Sequence, residues 1–336
     1  MKLNFQASSL ALKAAFKNKF KRWVPAVESE KGDTNNAVER FSQPYFLVNC
    51  IPKFKLNKAS KVFTIGSCFA RNVERALVEN GIDVIGQDFQ VPSDMLLGSV
   101  GALSNTVGPR SVLNKYSTLS ICEEFERILN VRSIVNNGFI EVSDGYWIDP
   151  QLASVMKPME FDKLCEFRTY IDNLLKQILD ADVVFLTLGL NEVWFDNETS
   201  SFLNSSPPPS LLKRNSDRFV FSTPGFNDVF SSLESFIQLV REKSVKDVKF
   251  IVTVSPVPLS TTWTSNDVVV ANTVSKSTLR VCANQIAEMY DFVDYFPSYE
   301  MVMHSPRDNA WQSDSLHVSK SMVDAVIGTF INNFVE

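Results

Sequence analysis

Lys61-Val-Phe-Thr-Ile-Gly-Ser-Cys-Phe-Ala70 runs from a continuous apolar stretch into a short Gly-containing turn and then into a helical pattern. From Cys68 onward, Phe69, Val73, Ala76 and Leu77 share one helix face. The same arrangement recurs along the chain. Asp182-Val-Val-Phe-Leu-Thr-Leu188 runs into Gly189, Val248-Lys-Phe-Ile-Val-Thr-Val254 runs into Ser255-Pro256, and a shorter run covers residues 82–85. Near-continuous Val, Ile, Leu and Phe suits strands covered on both faces, as in a parallel sheet. Helical periodicity fills the intervals 160–180, 227–243, 267–290 and 319–335. Alternation of this kind predicts an α/β fold, a three-layer doubly wound sandwich with a mostly parallel sheet.

The 336 residues are 45% hydrophobic, with 26 Phe, enough for an ample core without staples. A formal charge of −5 argues against nucleic-acid binding across the chain. Only 12 Gly argue against glycine-rich nucleotide loops. No apolar run approaches the ~20 residues of a membrane span. The five cysteines, Cys50, Cys68, Cys122, Cys165 and Cys282, are odd in number and contain no Cys-x-x-Cys pair. Neither a disulfide framework nor a zinc ribbon follows, and a reducing compartment, the cytoplasm, is expected. His304 and His317 are the only histidines, so no metal or other cofactor is expected, and any imidazole base is one of these two.

Residues 1–44 read as a basic amphipathic segment and linker, and residues 45–336 as one catalytic domain. Lys13, Lys17, Lys19, Lys21 and Arg22 fall within residues 10–24 with no acidic residue, and Leu12, Phe16, Phe20 and Trp23 form a helical stripe. Such a helix could make peripheral contact with an anionic membrane surface. The simpler expectation is that it packs on the domain with its lysines in water. Residues 27–43 are polar and read as a linker. The stretch 196–224, with Ser205-Ser-Pro-Pro-Pro-Ser210, reads as a loop insertion or lid just after a strand's carboxyl end.

Three constellations carry chemistry. At the first strand-to-helix junction, Ser67 or Cys68 is an exposed nucleophile candidate at which free helix N–H groups are aimed. At the second, Gly189 and Asn191 can offer donors to a developing negative charge, with Glu192 and Trp194 beside them. Trp194 could line a sugar site, and Glu192 could orient its neighbours or be a solvated charge. Before the last helix, Asp314 and His317 stand three apart, so the carboxylate can accept the imidazole Nδ1–H and leave Nε2 as general base.

In this order the three motifs resemble SGNH (GDSL-type) hydrolases, and Gly66-Ser67-Cys68-Phe69-Ala70 spells the name-giving motif of the GSCFA family. Gly-Leu-Asn-Glu-Val-Trp194, Val254-Ser-Pro-Val-Pro258, Tyr295-Phe-Pro-Ser-Tyr-Glu300 and the Asp314…His317 ending also look like that family, over about residues 45–320. The resemblance implies a flavodoxin-like sheet and an acyl-ester hydrolase, acting through an acyl-enzyme on an O-acylated carbohydrate or similar small molecule. It does not supply the substrate itself. The alternatives are an O-acyltransferase, for instance in bacterial surface polysaccharide modification, and a non-catalytic binding module.

This chain departs from the SGNH pattern twice. The Gly-x-Ser register lands on Cys68 rather than Ser67, which favours the thiol, whereas the prevalence of serine in such enzymes favours Ser67. The block with a backbone-donating glycine is not evident; Asn114 in Leu113-Asn-Lys-Tyr-Ser117 is its counterpart, with Gly101 a poorer one.

Overall fold

The computed structural model describes residues 6–27, 32–97, 109–153 and 156–336. Its strands are β1 (Lys61–Gly66), β2 (Asp83–Val84), β3 (Ile140–Ser143), β4 (Tyr146–Ile148), β5 (Met159–Glu160), β6 (Val183–Leu188), β7 (Val193–Asp196), β8 (Ser201–Leu203), β9 (Phe219–Ser222), β10 (Lys249–Val254) and β11 (Val293–Tyr295). The helices are α1 (Ser8–Lys17), α2 (Ala37–Phe41), α3 (Cys68–Glu79), α4 (Thr118–Ile128), α5 (Phe161–Lys176), α6 (Pro209–Arg214), α7 (Phe226–Lys243), α8 (Val268–Met289), α9 (Ser298–His304), α10 (Arg307–Ala310) and α11 (Lys320–Phe334).

The central sheet is five-stranded and parallel throughout, in the order β11-β10-β6-β1-β2. Counting only its own strands, this is the 2-1-3-4-5 order of flavodoxin-like sheets, whose ligand crevice opens where the strand order reverses. Here that point lies between β1 and β6.

Strand alternation explains why both faces must be covered. Val183, Phe185 and Ile251 join Phe69, Val73 and Leu77 of α3 and Met322, Val326 and Phe330 of α11 in one cluster. Their neighbours Val184, Leu186, Phe250 and Val252 point the other way, into a cluster with α4, α5, α7 and α8. With side chains alternating at a period of two, an unbroken apolar run is apolar on both sides and needs a helix layer on each. The α/β three-layer expectation therefore holds.

The stretch 196–224 is not the irregular loop its prolines suggest. β7, β8 and β9 form a small antiparallel sheet in the order β8-β7-β9. Pro209 occupies the start of α6, where a missing N–H costs nothing. Leu203, Leu211 and Phe219 pack with Ile140 in a core of their own, and buried Asp196 takes two hydrogen bonds from Arg218, at 2.9 and 2.7 Å. A second antiparallel sheet, β3-β4-β5, was not anticipated.

The N-terminal stripe is also shorter than its spacing implies. α1 stops at Lys17, because Asn18 turns extended and its Oδ1 takes the Phe20 amide at 2.9 Å. Phe20 and Trp23 therefore lie outside the helix, and Trp23 contacts Phe41 instead. α1 buries none of its residues, so it does not pack on the domain, and Leu10, Leu12 and Phe16 stand exposed beside Lys13 and Lys17. Residues 37–41 of the expected linker are helical, with Ala37 buried. Among the described residues no helix is long and apolar enough to cross a membrane.

Candidate active site

Three parallel strands end at one cavity of about 400 Å³. Ser67 and Cys68 follow β1, Gly189 and Leu190 follow β6, and Ser255 and Val257 follow β10; all six line it.

The β1 turn depends on Gly66. Its φ is +130°, and a Cβ there would lie 2.0 Å from the Thr187 carbonyl oxygen of the neighbouring strand. Only glycine allows the two strand ends this approach. Ser67 then adopts extended geometry as the N-cap of α3, its amide donating to Thr187 O at 3.1 Å. Its hydroxyl makes no capping bond; Oγ is buried with no hydrogen-bond partner. Cys68, the first helical residue, is half-buried and more accessible than Ser67. Burial pushes its thiol up, against the opposing pull of the Lys276 charge and of the Phe69 and Cys68 amides.

The base is built by a local turn. Asp314 Oδ1 accepts the amides of Leu316 at 2.9 Å and His317 at 3.0 Å, with Ser315 in the left-handed region at φ 56°. The other oxygen, Oδ2, then accepts His317 Nδ1–H at 2.6 Å. That bond and the turn amides hold the Asp314 carboxyl down at about 2. Nδ1 is thereby committed to the carboxylate and Nε2 is left for chemistry. His317 lines the cavity with Cys68 and Ser67. Among the described residues no hydrogen bond joins it to either; its one side-chain partner is Asp314. His304 lies elsewhere, against Phe41 and Phe46.

Asn114 also lines the cavity, its Oδ1 unpartnered. The segment that carries it is anchored by Lys115, whose amide donates to Gly66 O at 2.7 Å. The buried Lys115 ammonium pairs with Glu124 at 2.6 Å. Gly101, the poorer counterpart, lies outside the described residues.

Asn191 is not brought to the cavity. Its Nδ2 donates to Pro224 O at 2.9 Å, its amide donates to Ser275 Oγ at 3.0 Å, and it is absent from the lining. The expected side-chain donor is thus a tie between the β6 exit and the start of α7. Glu192 lines the cavity and is buried rather than solvated; it accepts Thr262 Oγ1–H and the Trp263 amide, the latter at 3.2 Å. It thereby holds Trp263 edge-on to Trp194, with ring centroids 5.1 Å apart, and both indoles line the cavity beside Phe221.

Lys276, Tyr116 and Ser255 also line it, and none was singled out from the sequence. Lys276 is 1% exposed, and its Nζ donates to Gly189 O at 2.6 Å. Burial pulls it down to about 7. A signal did exist: Lys276 stands three, seven and ten residues before Leu279, Ala283 and Ile286, on the apolar stripe of α8. Five buried polar atoms around the cavity have no partner: Ser67 Oγ, Ser111 Oγ, Asn114 Oδ1, Trp194 Nε1 and Ser255 Oγ. Buried polar atoms are normally paired, so such a concentration gives the cavity hydrogen-bonding capacity that the protein itself does not use.

The family model for the GSCFA family matches residues 61–330. The chain belongs to the GSCFA family. The matched span of this GSCFA chain holds every lining residue named above, and α1 and α2 lie before it. Among solved structures, it is similar to a carbohydrate esterase family 3 protein from Talaromyces cellulolyticus, at 11% identity over 81% of this chain and 96% of that one, TM-score 0.34. A carbohydrate acetylesterase family member from Sinorhizobium meliloti matches at 11% identity over 80% of this chain and 93% of that one, TM-score 0.29. No curated protein matches.

Proposed function

We propose that this GSCFA protein is an acyl-ester hydrolase that works through an acyl-enzyme on Cys68, with an O-acylated carbohydrate or a similar small polyol as substrate. The observation that carries the reading is a thiol at a helix N-terminus and a carboxylate-held imidazole lining one cavity among unpartnered polar groups.

His317 Nε2 takes the thiol proton, and the sulfur attacks the acyl carbon. The negative charge on the carbonyl oxygen is held by the α3 N-terminus and the Asn114 carboxamide. Collapse breaks the C–O bond, and the departing alkoxide takes the proton back from His317. Water then gives its proton to His317 and attacks the thioester, releasing the sulfur. Asp314 keeps the ring oriented and stabilises its charged form. Contact between Nε2 and the thiol tightens as substrate fills the cavity. Trp194, Trp263 and Phe221 offer aromatic faces suited to a sugar ring, while Ser111 and Ser255 offer hydroxyls.

The test is turnover of short-chain aryl esters and of acetylated oligosaccharides by the purified protein. A first-turnover burst of the phenol from the aryl ester, followed by steady release of acetate, is expected, and neither rate should depend on an added sugar acceptor. No release of phenol or acetate from any acyl ester would contradict the reading, and ester consumed only with an acceptor, its acyl group recovered on that acceptor rather than as acetate, would make the protein a transferase.

A further inference from the structure

We propose that Lys276 is a positioning residue for the Cys68 sulfur: held on the Gly189 carbonyl in the cavity wall, its ammonium is the counter-charge that lets Cys68 form, and later leave, as a thiolate. This rests on the reading of Cys68 as the nucleophile.

Lys276 is buried, yet it pairs with no carboxylate among the described residues. Among the described residues the other two cations buried to this degree are handled differently. Lys115 pairs with Glu124, and Arg168 pairs with Glu124, Asp149 and Asp172. A buried charge without a partner is costly, and an apolar residue of the same length would fill the space at no such cost. Among the described residues the ionisable group that acts on Lys276 is Cys68, and Lys276 is the largest influence opposing the burial that pushes the Cys68 thiol up. The connection is structural as well. Lys276 Nζ grips Gly189 O, and Gly189 packs so tightly against Tyr116 and the Ser67 Cβ that an added methyl would meet Tyr116 O at 2.8 Å.

The remaining groups around the sulfur do not supply a cation in its resting state. Tyr116 on the 114–117 segment is pushed up to about 12 by burial and stays neutral. Glu192 after β6 is engaged by Thr262 and Trp263. His317, on the turn before α11, must be neutral to act as base, and the α3 amides bring only a dipole. Burial pulls Lys276 toward its neutral form, and the thiolate draws it back toward the ammonium. The thiol proton goes to His317, the C–S bond forms, the C–O bond breaks with that proton passing to the alkoxide, and hydrolysis returns the sulfur to the same counter-charge.

The test is iodoacetamide alkylation of Cys68, located by peptide mass mapping, across the neutral and alkaline range. Wild type is compared with Lys276→Met and Lys276→Arg. Lys276→Met is expected to raise the midpoint by about one pH unit or more, slowing alkylation near neutrality about tenfold. Lys276→Arg should keep a midpoint near wild type. An unchanged midpoint in Lys276→Met, an equal shift in Lys276→Arg, or a Cys68 that resists alkylation in wild type would each overturn the proposal. Should Lys276→Met fail to fold, Lys276→Gln is read in the same way. Alkylation needs no ester. A shifted midpoint without ester turnover keeps the pair and removes the hydrolase reading. Turnover through Cys68 with no shift does the reverse.

Discussion

Replacing Cys68 with alanine is expected to lower kcat/KM on an acyl ester by roughly 10³-fold or more, about 4 kcal/mol of transition-state stabilisation. Ser67→Ala should stay within about threefold of wild type, because its hydroxyl neither caps α3 nor bonds to any other group. The contrast separates two adjacent residues that the sequence leaves open. The Gly-x-Ser register and the accessibility of the two side chains both favour position 68. Parallel kinetics of the two variants, with circular dichroism to show that each folds, check the prediction. Equal loss in both, or loss confined to Ser67→Ala, would reverse the assignment.

His317→Gln is expected to cost roughly 10³-fold in kcat with KM little changed, since it removes proton transfer rather than binding. Asp314→Asn should cost less, on the order of 10²-fold, because the carboxylate acts through the ring and is solvent-exposed. The two losses should not add, as both act on one proton transfer. The pH dependence has a definite sign. The Asp314 carboxyl sits at about 2 against an ordinary value of 3.8, so it is ionised at every pH above that ordinary value. Its contribution to stability is complete there and disappears as pH falls through about 2. The acid limb of the activity profile therefore does not arise from Asp314. A kcat for His317→Gln within a few-fold of wild type would remove the base from the mechanism.

How much of this was legible depends on the range of the interactions. β1, β6 and β10 announce themselves because a strand covered on both faces is apolar at every position, and the runs at 61–65, 182–188 and 248–254 show this directly. The Asp314–His317 pair is legible because four residues of one turn make all of its hydrogen bonds. Asn191 misleads because its partner, Pro224 O, lies 33 residues away on a segment read as loop. That segment hides its strands because they are three or four residues long and separated by Ser and Pro, too short for alternation to show. Lys276 is hidden differently. A lysine on an apolar stripe ordinarily reads as one that snorkels to water, and only the fold shows it turned inward onto Gly189. At the N-terminus, a periodicity of four apolar residues overstates the helix because the side chain of Asn18 ends it.

The central claim is that Cys68 carries the acyl group, and trapping tests it most directly. The protein is mixed with a short-chain aryl ester, quenched in acid within the first turnover and mapped by peptide mass. The account predicts one acyl group on the Cys68 peptide, removed by neutral hydroxylamine as a thioester should be. An acyl group found on Ser67 with Cys68 free, or turnover with no acyl group on either residue, would contradict it.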